Sequence, residues 1–378
     1  MPKSLTFKDG RFKIMQIADA QEFPFVSPDT VRLIELALEA EKPDFVIFTG
    51  DQIYGIHPRL WGKDPEKTVG RVIEKLLSPV IKAGVPFAVT FGNHDAESGA
   101  TVLSQAKLYS SFPGYVRGER RAEDDPGTFY IPVSGEDGRE KFMLYAFDTH
   151  GSAYSKTKSG TTKKQLEWFV KTRDEAKKNV ESAPPAIVFQ HIPVPEYYNV
   201  IKEVKKGTKG AVEAFGSRKN RFFALPDEII SEGGFMKESP SVTGADTHEF
   251  DVLKEDGNVI AICAGHDHNN SFVSEYRGIK LIYTQGAGFH VYGPHLQRGV
   301  RLFVVDENAP EEITTYTRTW EGLTDEKPKE RLLEELLSRT PSSVGQAKAY
   351  AKRLSPALAA GAAAAGGLVL IALKNKKR

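Results

Sequence analysis

Between Phe12 and about Trp320 the apolar residues fall into short continuous runs, each closed by a polar cluster. FKIMQIAD, DFVIFTGD, PFAVTFGNHD, KFMLYAFD, AIVFQH and VIAICAGHDH are rich in β-branched and aromatic residues. They are too continuous for strands with one wet face, so they predict strands of buried sheets. Helical segments separate the first three: Pro28 to Glu41, with Ser27 placed to cap and Pro28 in the first turn, and about Pro65 to Ala83. That β-α-β-α-β order predicts a parallel sheet at least at the start. KLIYTQG and VRLFVVDE then follow one another without room for a long helix, which predicts antiparallel pairing in a second sheet or at a sheet edge.

The remainder of the chain departs from this pattern. Val194 to Arg221 is a long polar excursion carrying Lys202, Lys205, Lys206, Lys209, Arg218, Lys219 and Arg221. No internal repeat is visible. From Glu321, EKPKERLLEELLSR predicts a charged helix with Leu332, Leu333, Leu336 and Leu337 on one stripe, and TPSS reads as a linker. Pro356 to Leu373 is a run of 18 uncharged residues followed by KNKKR, just long enough to span a bilayer. Its Ala and Gly content weakens insertion, and the alternative is a helix that packs on the domain or self-associates through small residues. The expected division is a domain over 1–320, a charged helix and linker over 321–345, and a C-terminal membrane anchor with a basic end over 346–378.

Composition narrows the classes. In 378 residues, 51 Lys plus Arg against 50 Asp plus Glu leave a net charge of +1, so no global field favours nucleic acid and none is expected as a partner. With 40% hydrophobic and 27% charged residues the chain reads as a folded globular protein. The single cysteine, Cys263, excludes a disulfide framework and a cysteine-ligated metal site and agrees with a reducing compartment. MPKSLTFKDGRF has no apolar core of a secretory signal. A cytoplasmic domain, not secreted and tethered by its C-terminal segment, is the expectation.

In an open α/β sheet ligands gather beyond the carboxyl ends of the strands. Here those ends carry, in order, Asp19 with Gln21, Asp51 with Tyr54, Asn93 with His94 and Asp95, His191, and His266 with His268. Carboxylate, amide and imidazole suit zinc, manganese, iron or magnesium. Two carboxylates, one Asn and three His are too many for one closed site and about right for two metals sharing a carboxylate. Each alone has a plainer reading: Asp19 as a cap, Gly50-Asp51 as a turn, His191 as a core histidine. His266 and His268 are better placed, because alternate residues of an extended segment face the same way.

The order GD, GNHD, H and GHxH resembles the calcineurin-like metallophosphoesterases. FTGDQIYG, TFGNHD, FQHIPVPEYY, GHDHNNSF and YTQGAGFHVYGPHLQRGVR look like a purple-acid-phosphatase-like branch of them. The resemblance implies an α/β fold, a four-layer α/β/β/α sandwich of two mixed sheets, here followed by a C-terminal helical tail. It implies two metal ions (iron, manganese or zinc), Asp51 bridging, Asp19 and His268 on the first ion, and Asn93, His191 and His266 on the second. His94 would lie beside the substrate and Asp95 would orient it; the other reading of Asp95 is a turn-closing side chain. One departure is Gln21, where most of the superfamily has histidine. Tyr54 then stands where purple acid phosphatases have a tyrosinate ligand, or packs under the site while Gln21 or water coordinates.

The function this implies is hydrolysis of phosphoric esters by a metal-bound hydroxide. A phosphomonoesterase acting on a small phosphorylated substrate or a phosphoprotein is favoured, with a phosphodiesterase, or a degenerate phosphate- or metal-binding scaffold tethered to the membrane, as alternatives. The basic excursion either lines the mouth of the pocket or is a solvated loop. His290 and His295, in GAGFHVYGPH, belong either to a substrate-facing loop or to a set of turns.

Overall fold

The computed structural model describes residues 5–340 apart from 56–57, 123, 152–158, 179–181, 215 and 245–246. The compact unit Met1–Ser338 holds all the elements below.

Side-chain alternation along the strands explains the layers. In Arg11–Ile17, Phe12 and Ile14 join the apolar cluster between the two sheets, whereas Met15 and Ile17 join a cluster under helices. In Phe45–Thr49, Phe45 and Ile47 take the first side and Val46 and Phe48 the second. Ala186–Gln190 repeats this from the other sheet, with Ile187 and Phe189 facing inward and Ala186 and Val188 in a third cluster under its own helices. Successive side chains on opposite faces are both apolar, so each sheet is covered twice. Three apolar clusters between four layers give the α/β/β/α sandwich.

A five-stranded sheet runs in the order Ala309–Thr319, Gly299–Asp306, Arg11–Ile17, Phe45–Thr49, Phe87–Thr90. Its last three strands are parallel, and Gly299–Asp306 is antiparallel to both of its neighbours. In the nine-stranded sheet Glu140–Phe147, Ala186–Gln190, Val259–Ala264 and Ile279–Tyr283 lie side by side and parallel. KLIYTQG and VRLFVVDE do pair antiparallel, but not with each other. Ile279–Tyr283 pairs with Asn270–Tyr276, while Gly299–Asp306 belongs to the other sheet. The segment 284–298 carries the chain across.

The first two helices form as their termini dictate. Ser27 caps Pro28–Glu41 by accepting from the Asp29 N–H, and Asp64 caps Pro65–Ala83 by accepting from the Lys67 N–H. The excursion folds as a small three-stranded sheet of Val212–Glu213, Phe222–Ala224 and Lys202–Val204. Near the C-terminus Arg331–Ser338 is helical, but Leu332, Leu333 and Leu336 are exposed and Glu334 is buried. Glu334 lies 3.0 Å from His295 Nδ1 and 3.8 Å from Nε of the buried Arg298, and this charge pairing turns the leucines outward. The apolar stretch Pro356–Leu373 lies outside the described residues, among which no helix is long and apolar enough to cross a membrane.

Candidate metal centre

The parallel strands of both sheets deliver their polar ends to one place. Asp19 and Gln21 follow Arg11–Ile17, Asp51 follows Phe45–Thr49, Asn93 and His94 follow Phe87–Thr90, His191 follows Ala186–Gln190, and His266 and His268 follow Val259–Ala264. Asp19, Gln21, Asp51 and His266 hold φ of 53°, 41°, 53° and 73°. Four non-glycine residues with left-handed backbone in one site store strain that only a surrounding framework can hold, and such outliers concentrate at functional sites. Gly92 has to be glycine: a Cβ there would lie 2.2 Å from Asp51 Oδ1.

Asp51, His191 and His266 offer ligand atoms that all lie within 4.8 Å of one another. His191 donates Nδ1–H to the Thr49 carbonyl at 3.1 Å, which leaves Nε2 to face Asp51 Oδ2 at 3.1 Å and Asp19 Oδ1 at 3.9 Å. His266 Nδ1 lies 3.2 Å from His191 Nε2. On the other flank His268 donates Nδ1–H to the Tyr292 carbonyl at 2.9 Å, and its Nε2 lies 3.4 Å from Asp19 Oδ1. The carbonyl contacts hold Nδ1 as the donor in both His191 and His268 and turn Nε2 toward the carboxylates, the orientation that ligating imidazoles need once Nε2 gives up its proton. Gln21 Nε2 donates to Asp51 Oδ2 at 2.9 Å, and the His94 N–H donates to Asp51 Oδ1 at 2.8 Å.

The donor set fits two metal ions. Asp19 Oδ1 and Asn93 Oδ1 are buried without a hydrogen-bond partner. An orphaned buried acceptor costs about 1–3 kcal/mol, which an ion would offset. Charge points the same way. Burial opposes ionisation of Asp51, yet His191 and His94 hold its carboxyl well below the usual range. Burial also disfavours a charged His191, but Asp51 and Asp19 push it up to about 10, whereas burial and His191 push His266 down to about 3. The carboxylates therefore require a positive charge among them, and His266 is kept in the neutral form that ligates.

Of the two readings of Asp95, the turn-closing side chain is the one the contacts support. Asp95 does not orient His94: its carboxylate accepts the Asp51 N–H at 2.9 Å, the Ile53 N–H at 2.9 Å and the Gly92 N–H at 2.7 Å. It closes the two ligand turns onto each other. The partner of His94 is Glu97, whose Oε2 lies 2.6 Å from Nδ1 and whose side chain is buried. Replacing Asp95 with Ala would orphan three N–H groups at about 1–3 kcal/mol each before relaxation or water recovers part. We expect a loss of roughly 2–4 kcal/mol, read as a lower urea midpoint at unchanged slope; a parental midpoint would refute this role.

Tyr54 forms a wall. Its ring stands edge-on between His94 and Phe23, and burial, Asp51 and Glu97 push its phenol upward from the ordinary value. Tyr292, not singled out by the sequence, lies flat on His268 with centroids 4.2 Å apart and planes 8° apart. Its loop is seated against the site by the Gly286 N–H on the His268 carbonyl and the Gly288 N–H on the Asp19 carbonyl. His290 and His295 in this loop pair with Glu330 and Glu334. Among the described residues no cation of the basic excursion bonds a ligand residue: Arg221 pairs with Glu203, and Arg218 lies over the Tyr198 ring.

The sequence profile of calcineurin-like phosphoesterases matches residues 12–270. The chain is 28% identical over 365 residues to probable inactive purple acid phosphatase 14 of Arabidopsis thaliana, covering 84% of this chain and 82% of that one. It is 26% identical to phosphatase DCR2 of Saccharomyces cerevisiae, covering 85% of this chain and 55% of that one. Among solved structures it resembles a dimetal phosphatase from Danio rerio with a TM-score of 0.50 at 14% identity, covering 82% of this chain and 99% of that chain.

Proposed function

We propose that this chain, which belongs to the calcineurin-like phosphoesterase family, is a phosphomonoesterase that works with two metal ions. The observation that carries the reading is the set of buried acceptors, Asp19 Oδ1 with two imidazole Nε2 atoms at 3.4 and 3.9 Å but no hydrogen bond, and Asn93 Oδ1 with no hydrogen-bond partner, beside an imidazole, His94, whose Nδ1 is already committed to Glu97. Asp19 and His268 would hold one ion, Asn93, His191 and His266 the other, and Asp51 both; iron, manganese and zinc all suit these donors. When bound, the ions supply positive charge against the phosphoryl oxygens and an activated water, so no side chain has to act as nucleophile.

The chain's own residues do the rest. The His94 N–H and Gln21 fix the Asp51 carboxylate through separate oxygens. Glu97 holds His94 by Nδ1, which leaves Nε2 to carry a proton to the leaving oxygen. The substrate is a small phosphorylated molecule or a phosphoprotein.

Several relatives carry "probable inactive" in their names, and Gln21 replaces an imidazole ligand, so a scaffold that binds phosphate or metal without turnover is the competing outcome. Protein loaded in turn with manganese, zinc or iron is assayed with p-nitrophenyl phosphate and bis(p-nitrophenyl) phosphate, with metal content measured alongside. We expect two ions per chain and faster turnover of the monoester. A diester preference would reassign the substrate, and two ions without turnover of either ester would establish the scaffold.

A further inference from the structure

Four rings form a row that begins at His94 and ends in solvent. The His94 ring meets the Tyr54 ring edge-on at a centroid distance of 4.9 Å, and Tyr54 meets Phe23 edge-on at 5.1 Å. Phe23 and Phe25 lie nearly parallel, 5.9 Å apart with planes 13° from each other. Phe25 is 65% exposed, a large apolar ring left in water.

Its base is fixed. Phe25 packs edge-on at 5.2 Å against His290, which sits 2.8 Å from Glu330 and 3.4 Å from Glu22. Glu22 also accepts the Ser27 N–H, Ser27 caps the following helix, and Val26 is buried. Neighbours on both sides of Phe25 are thus tied into the core, and its exposure does not come from a loose loop.

We propose that this row seats the leaving group, and that the substrate carries a planar aromatic group there, either an aryl ring bonded directly to the phosphate oxygen or a nucleobase one sugar away. The inference rests on the proposed role of His94. Glu97 occupies Nδ1, so the leaving oxygen takes its proton from Nε2, and whatever that oxygen carries starts beside His94. Tyr54 is the ring against His94, with Phe23 and then Phe25 beyond it. Aromatic faces and edges attract planar rings through their quadrupoles in addition to the apolar area they cover. A saturated polar leaving group gains neither.

The test separates ring recognition from turnover by using phosphonates, whose carbon–phosphorus bond is not hydrolysed. Phenylphosphonate and methylphosphonate are titrated calorimetrically into the manganese-loaded full-length protein. We expect a phenyl preference of about tenfold, reduced several-fold in Phe23→Ala and restored in Phe23→Trp, whereas Phe25, one ring further from His94, changes it less. No binding of either phosphonate, equal affinity for the two together with no preference for adenosine monophosphate over glycerol 2-phosphate, or preferences unchanged in both alanine variants would overturn the proposal. Values of kcat/KM for phenyl phosphate, adenosine monophosphate and glycerol 2-phosphate then separate the sources. A directly bonded aryl group makes phenyl phosphate the better substrate and Phe23→Ala the costlier change; a nucleobase makes adenosine monophosphate better and Phe25→Ala costlier. A protein that prefers phenylphosphonate yet hydrolyses no ester would sink the esterase reading alone, and an active one that treats both phosphonates alike and adenosine monophosphate no better than glycerol 2-phosphate would sink the aromatic seat alone.

Discussion

Asp51→Asn is expected to abolish hydrolysis and to release both metal ions together. The two carboxylate oxygens of Asp51 have different neighbours: Oδ1 takes the His94 N–H, and Oδ2 lies against Gln21 and His191. An amide keeps the shape but only one of the two accepting oxygens, the other position becoming a donor, so the variant tests charge and ligation at nearly constant volume. The carboxylate is fully buried and is held ionised against that burial by His191 and His94. Loss of its charge leaves two ions with one shared ligand fewer and removes the negative field that favours them. Charge stabilisation worth several kcal/mol corresponds to a rate loss of about 10³-fold or more. Asp19→Asn, by contrast, is expected to lose the ion on the His268 side and keep the other. Metal analysis of the two proteins decides the matter; two ions retained in the Asp51 variant would remove it from the bridging position.

How much of this was legible depended on the range of the contact. Strands buried on both faces have no alternation to hide them, so the runs ending at Asp19, Asp51, Asn93, His191 and His268 could be read directly. The cap Ser27 acts two residues along the chain, on the Asp29 N–H, and so could be read as well. Asp95 shows where the favoured reading failed and its plainer alternative, a turn-closing side chain, held. Its sequence neighbour His94 invited a pairing, but its oxygens satisfy N–H groups of Asp51 and Ile53, more than 40 residues earlier. Glu97 stands three residues after His94, and that spacing becomes a contact only because Asp95–Ser98 winds as a short 3₁₀ turn.

The last helix misleads for a related reason. Its leucines form the expected stripe, yet the face turned to the body is Glu334, because Arg298 is buried there and requires a carboxylate. Arg298 in turn donates to the carbonyls of Gly288 and Val291, the loop that carries Tyr292 against His268. One buried cation thus ties the C-terminal helix to the wall of the metal centre. Nothing in the periodicity of residues 331–338 announces a partner on a loop some 40 residues away.

His94→Gln should lower kcat by about 10² to 10⁴-fold while leaving two ions bound, since a positioned general acid contributes on that order. Glu97 shapes the size and pH dependence of this effect. Burial alone would lower the pKa of His94, but Asp51 and then Glu97 outweigh it and raise the pKa above its ordinary value. Metal ions on Asp51 would cancel much of that carboxylate's influence, whereas Glu97 at 2.6 Å from Nδ1 keeps its own. The imidazole is therefore protonated below the raised pKa, and kcat falls as the pH climbs through it. Glu97→Gln removes one of the raising charges, so the falling limb should move to lower pH, with a loss of about 10- to 100-fold in activity. An alkoxide needs the proton more than p-nitrophenolate, which is already stable as an anion, so the His94→Gln deficit should be larger for glycerol 2-phosphate than for p-nitrophenyl phosphate. Equal deficits on the two esters, with an unshifted limb in the Glu97 variant, would show that His94 only braces the phosphoryl group and that the leaving oxygen takes its proton from solvent.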